Sequence, residues 1–153
     1  TERPFVLAGM IAVGIGAHNF AEGLAIGASA ASGATTIALG LIIGFALHNA
    51  TEGFGIAAPL AGRGIPATWE QIGLAGLIAG GPTLLGTMVG YQFTAPALQV
   101  FFLTVAIGAL IFVVGELWGV LKRSGLTIVA TSMVTAGFVI ALGTELFLDF
   151  SGR

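Results

Sequence analysis

Phe5-Val6-Leu7-Ala8-Gly9-Met10-Ile11-Ala12-Val13-Gly14-Ile15-Gly16-Ala17-His18-Asn19-Phe20-Ala21-Glu22-Gly23-Leu24-Ala25-Ile26-Gly27-Ala28-Ser29-Ala30 contains no lysine or arginine and a single acid, Glu22. A helix needs roughly 20 apolar residues to cross a bilayer core, so this stretch reads as a membrane span. It is too long for a signal peptide, and its middle carries His18 and Glu22. The rest of the chain is built the same way. Of 153 residues, 56% are hydrophobic and 8% charged (5 Lys+Arg, 7 Asp+Glu), with a mean hydropathy of +1.04. A soluble domain carries about 25% charged residues. This composition excludes disorder and a nucleic-acid binder with a basic face, and the absence of cysteine excludes a disulfide-stapled module.

The sparse charges cut the chain into apolar runs over residues 5–30, 37–61, 69–93, 97–120 and 126–148. The breaks are Ala31-Ser32-Gly33, Gly62-Arg63-Gly64-Ile65-Pro66, Thr94-Ala95-Pro96 and Lys122-Arg123-Ser124-Gly125. No run alternates with period two, as a membrane β-barrel would. The expected fold is all-α, a polytopic membrane bundle of about five transmembrane helices. It forms a single transmembrane domain over residues 1–153, comprising a helix pair over 5–61 and a three-helix bundle over 69–150.

Arg3, Arg63, Lys122 and Arg123 fall on one side of this arrangement and Arg153 on the other. The positive-inside rule then places the N-terminus in the cytoplasm and the C-terminus outside. Trp69 and Trp118 fall at cytoplasmic helix ends, where aromatic rings favour the headgroup level. Gly23/Gly27, Gly40/Gly44, Gly76/Gly80, Gly86/Gly90 and Gly115/Gly119 are spaced for close helix contacts. Thr83 and Thr87, after Gly80-Gly81-Pro82, are expected to bond back to carbonyls around a proline kink.

The polar residues in mid-span carry the functional information. His18-Asn19-Phe20-Ala21-Glu22-Gly23-Leu24-Ala25-Ile26-Gly27-Ala28 and His48-Asn49-Ala50-Thr51-Glu52-Gly53-Phe54-Gly55-Ile56-Ala57-Ala58 match at six of eleven positions, offset by 30. His18/Glu22 and His48/Glu52 are each at i, i+4, so imidazole and carboxylate share a helix face. Facing antiparallel helices would gather two imidazoles, two carboxylates and two asparagine amides near mid-membrane. An ionised group there costs about 2.5–3.5 kcal/mol on insertion scales, and a divalent cation offsets that cost. Imidazole nitrogen and carboxylate oxygen suit zinc and neighbouring first-row metals.

These two motifs resemble those of the fourth and fifth transmembrane helices of the ZIP divalent-metal transporters. The three following spans are similar to the sixth to eighth helices of that family, which also places the start of its fourth helix in the cytoplasm and its C-terminus outside. The resemblance implies that His18, Glu22, His48 and Glu52 hold the transported metal, with Glu22 or Glu52 able to bridge two ions. Asn19 and Asn49 match positions contributing to a second, adjacent site. Ala21 stands where the family often has proline, and Gly81 precedes Pro82 where many bacterial relatives have glutamate, which weakens the second site. The family's first three helices have no counterpart here, so the chain is expected to work with three further N-terminal helices or another subunit.

Glu116, near the cytoplasmic end of the fourth span, and Glu145 and Asp149, at i, i+4 near the external end of the fifth, are candidate pathway residues. The expected function is divalent-metal uptake into the cytoplasm by alternating access, not enzymatic catalysis. Zinc is the first candidate substrate, with iron, manganese and cadmium the others. The expected setting is the plasma (inner) membrane, with the lipid bilayer and a second copy in a homodimer as partners and no nucleic acid. Two alternatives remain: an intramembrane metalloenzyme, although its usual two-histidine spacing is absent, and an accessory bundle whose His/Glu pairs bind no metal.

Overall fold

The computed structural model describes residues 2–61, 63–123 and 125–150, excepting the side chains of residues 2, 48, 141, 144, 145 and 147–150. Five helices follow one another: α1 (Glu2–Ala31), α2 (Thr35–Ala61), α3 (Trp69–Gln92), α4 (Pro96–Arg123) and α5 (Thr127–Phe150). No strand occurs among the described residues. The first four are long and apolar enough to cross a bilayer, as an integral membrane protein requires, whereas the apolar stretch described in α5 is the shorter Thr127–Ile140. The chain divides into two compact units, Thr1–Leu117 and Trp118–Arg153.

Local chemistry sets the helix ends. At the end of α1, Gly33 takes φ 78°, a conformation that strains any residue with a Cβ. Its N–H donates to Ala30 O and that of Ala34 to Ser29 O (3.1 and 3.0 Å), which caps the carbonyls a helix end leaves open. Gly64 ends α2 the same way, with Ile65 N donating to Leu60 O at 3.1 Å. α3 opens on a reciprocal capping box, Gln71 N to Thr68 Oγ1 and Thr68 N to Gln71 Oε1 (3.3 and 3.0 Å). α4 begins at Pro96, where the missing N–H goes unneeded.

In the first unit, α1 is the central helix. Half of its apolar stretch is buried, against 6% of that of α2. α3 runs parallel to α1. A Cβ at Gly23 would meet the Thr83 carbonyl oxygen, one at Gly27 that of Thr87, one at Gly86 that of Phe20 and one at Gly90 that of Leu24. The two backbones therefore touch along an interlocked glycine seam. α4 runs antiparallel to α1, with Val113 beside Gly14 and the Phe102 and Phe20 rings 4.8 Å apart. Ile11, Ala12, Ile15, Ala79 and Val113 form the core. The outer faces are apolar, with Phe54, Leu47 and Ile43 exposed, while among the described residues the buried polar or charged ones are Asn19 and Glu22. This distribution suits lipid on the outside.

Of the five glycine pairs, Gly23/Gly27 and Gly86/Gly90 pack, each against the other. Gly40, Gly44, Gly76, Gly80 and Gly115 have nothing within 4 Å of an added Cβ, and Gly119 faces only Arg123 of its own helix. Four-residue spacing permits close approach but does not bring a partner.

In the second unit, α4 closes at Gly125 with Leu126 N donating to Leu121 O at 3.2 Å. In α5, Thr131 Oγ1 and Ser132 Oγ bond back to Thr127 O and Ile128 O, both at 2.9 Å. Hydroxyls in apolar helices satisfy themselves this way.

Gly86→Val or Gly90→Val should force α1 and α3 apart, lowering stability by about 1–3 kcal/mol or more. Gly40→Ala and Gly44→Ala, in open space, should be neutral or stabilising by up to about 1 kcal/mol. Thermal unfolding in detergent measures both, and equal losses at the two kinds of position would contradict the seam.

Candidate metal centre

With about 100° between successive residues, Asn19 and Gly23 share one face of α1, and His18 and Glu22 share the neighbouring face. The first face lies on α3. Asn19, 1% exposed, donates its Nδ2 to the backbone oxygen of Ala79 at 3.0 Å. It fastens α1 to α3 at the level where the glycine seam begins.

The second face turns toward α2. Glu22 is 6% exposed at its side chain, and its Oε1 lies 3.2 Å from His18 Nε2 within the same helix. Asn49 of α2 is oriented by its neighbours. With the NH2 group facing the acceptors, it donates to Glu22 Oε2 at 3.3 Å and to Glu52 Oε2 at 3.2 Å. A single amide nitrogen thus joins carboxylates from two helices, and Glu52 is half-buried beside it. His18, Glu22, Asn49 and Glu52 form one polar cluster inside an apolar bundle.

His48 lies on α2, and Glu145 and Asp149 lie on α5, but their side chains fall outside the described residues. Glu116 is half-buried on α4. Among the described residues no group of three or more His, Cys, Asp or Glu side chains stands in metal-holding geometry. The donor set at the cluster, one imidazole and two carboxylates, is nevertheless chemically suited to zinc or a similar divalent ion.

Asn19 and Asn49 occupy the same position in the two motifs and do different work. Asn19 gives its NH2 to an α3 backbone carbonyl, whereas Asn49 gives its NH2 to the two glutamates. Their pairing partners were not readable from sequence, because an asparagine amide bonds equally well to backbone and to carboxylate.

Thr87 Oγ1 bonds back to Thr83 O at 2.8 Å as expected, but Thr83 does not follow. Its buried Oγ1 has no hydrogen-bond partner among the described residues. The carbonyl four residues back is Ala79 O, which already accepts from Asn19. The competing amide on another helix could not be anticipated from the local sequence.

Comparison of the chain with models of known protein families, with curated proteins and with solved structures returns no match.

Replacing Thr83 by valine should stabilise the protein by about 1–3 kcal/mol, since it removes a buried unpaired hydroxyl at nearly constant shape. Asn19→Ala alone should destabilise by about 0.6–1.7 kcal/mol. In the Asn19→Ala background the gain from Thr83→Val should shrink or reverse, because Ala79 O is then open to the threonine hydroxyl. A double-mutant cycle of unfolding free energies reads this coupling, and strict additivity would refute it.

Proposed function

We propose that the chain carries the metal-translocating helices of a divalent-cation transporter similar to the ZIP family, with zinc the first candidate and iron, manganese and cadmium the others. The observation that carries this reading is the junction of Glu22 and Glu52, from two different helices, at one point beside His18 and within an apolar bundle. Two acids held together in surroundings of low polarity attract a small, highly charged cation more strongly than any other ligand class. His18 supplies a borderline-soft nitrogen, which favours zinc and its neighbours over magnesium or calcium.

In this mechanism the ion sheds water on entering the cluster and is held by Glu22, Glu52 and His18, with His48 as the fourth ligand that the repeat implies. Rocking of helices around this fixed point exposes it to each side in turn. The positive-inside asymmetry of Arg3, Arg63, Lys122 and Arg123 against Arg153 favours a cytoplasmic N-terminus with all five helices as spans of the plasma (inner) membrane, and the ZIP resemblance implies uptake into the cytoplasm. Glu116, Glu145 and Asp149 are the acids that would guide ions along the route.

A second reading is favoured by a specific observation. The cluster satisfies its own hydrogen bonds through Asn49, and no three ligand-type side chains among those described are gathered for an ion. On that reading the motifs are polar glue between α1 and α2, and the protein binds no metal.

Purified protein reconstituted in vesicles with a trapped zinc indicator separates the two. The transport reading expects bound metal by elemental analysis, zinc entry, and loss of flux by about tenfold or more in Glu22→Ala, Glu52→Ala and His18→Ala. Flux and binding should weaken between about pH 7 and pH 5, since protons compete for the imidazole and carboxylates that must be deprotonated to ligate. A metal-free wild-type protein with no flux would establish the polar-glue reading instead.

A further inference from the structure

With its NH2 group turned to the acceptors, the amide of Asn49 stands between Glu22 and Glu52, its Nδ2 3.3 Å from one carboxylate and 3.2 Å from the other. Two carboxylates on separate helices in an apolar bundle repel one another unless something positive stands between them. The NH2 group does so with two partially positive hydrogens and no net charge. It also gives each carboxylate a fixed direction, because a planar amide presents its two hydrogens at a set angle. Glu22 is further held by His18 on its other oxygen.

We propose that Asn49 is the positioning residue of this centre, a neutral stand-in that keeps Glu22 and Glu52 aimed at one point and yields that point only to a divalent ion. The proposal rests on the metal-binding reading above. An entering cation must break two charge-assisted hydrogen bonds at once. A monovalent ion exchanges those bonds for a single charge, whereas a divalent ion brings twice the charge to the same two carboxylates. Asn49 therefore sets a threshold that sodium or potassium does not pass. It differs from a ligand in acting through the carboxylates, and from Asn19, whose amide is engaged with Ala79 O on α3.

The test uses purified wild-type, Asn49→Ala and Asn49→Asp protein in detergent, with zinc affinity by calorimetry and thermal stability, each with and without sodium at about 0.15 M. In the wild type, zinc affinity and metal-free stability should be nearly insensitive to sodium. In Asn49→Ala, the vacated point takes sodium. Metal-free stability should then fall in low salt and recover with sodium, and zinc affinity should drop about tenfold on sodium addition, as mass action gives when sodium stands at about ten times its Kd for the vacated point. Asn49→Asp, with a third carboxylate, should show the same sodium dependence more strongly and bind zinc more tightly in its absence. A purely structural role for Asn49 would lower stability without creating sodium dependence. If wild-type protein binds zinc and neither variant gains sodium sensitivity, the proposal is overturned. If wild-type protein binds no zinc, the metal-binding reading itself fails, and sodium-rescued stability of Asn49→Ala then shows whether the amide stands in for a cation.

Discussion

The backbone contact between α1 and α3 is the constraint from which the rest of the first unit follows. Gly23 and Gly27 on one helix and Gly86 and Gly90 on the other let carbonyl oxygens sit where side chains would normally stand. In lipid there is little hydrophobic force between helices, so such close packing and the hydrogen bonds it permits hold the bundle. The short interhelix distance allows Asn19 to reach Ala79 O, and that bond fixes the rotation of α1 about its axis. With the Asn19 face committed to α3, the His18 and Glu22 face can only turn to α2. The position of the acidic cluster is thus a consequence of glycines that carry no chemistry themselves.

Polarity in the bundle is handled by closing each group on a neighbour. Helix ends are capped by glycines in the left-handed conformation and by the Thr68/Gln71 box. The hydroxyls of Thr87, Thr104, Thr131 and Ser132 return to their own helices. The two glutamates of the cluster are tied through an amide. Thr83 departs from this scheme: among the described residues its Oγ1 has no partner, while the carbonyl four residues back, Ala79 O, accepts from Asn19. A polar group left unmatched next to the tightest helix contact indicates that the seam outweighs the loss of one hydrogen bond.

Helix positions were readable to within a few residues, because runs of apolar residues long enough for a bilayer leave few alternatives and glycine or proline marks each break. The His-Asn-x-x-Glu-Gly repeat was equally visible, and i, i+4 spacing placed His18 beside Glu22 without reference to any other helix. Five glycine pairs, by contrast, were indistinguishable in the sequence although two of them pack. A glycine has no side chain with which to declare a partner, and its contact depends on the helix that arrives. The parallel run of α3 along α1, and the joining of Glu22 to Glu52 by Asn49, are long-range choices of the same kind.

The sequence by itself determined an all-helical, lipid-suited chain, the approximate ends of its helices and the placement of matched acids and imidazoles on two of them. These follow from composition and from local periodicity. The tertiary structure alone decided what the two matching motifs do. Gly23 touches the backbone of α3 while Gly53 meets nothing, and Asn19 clamps a carbonyl while Asn49 spans two carboxylates. Identical residues at identical spacing diverge because α1 lies at the centre of its unit, with neighbours on several faces, and α2 lies at the edge. A motif specifies which groups share a face, and only packing specifies what that face meets.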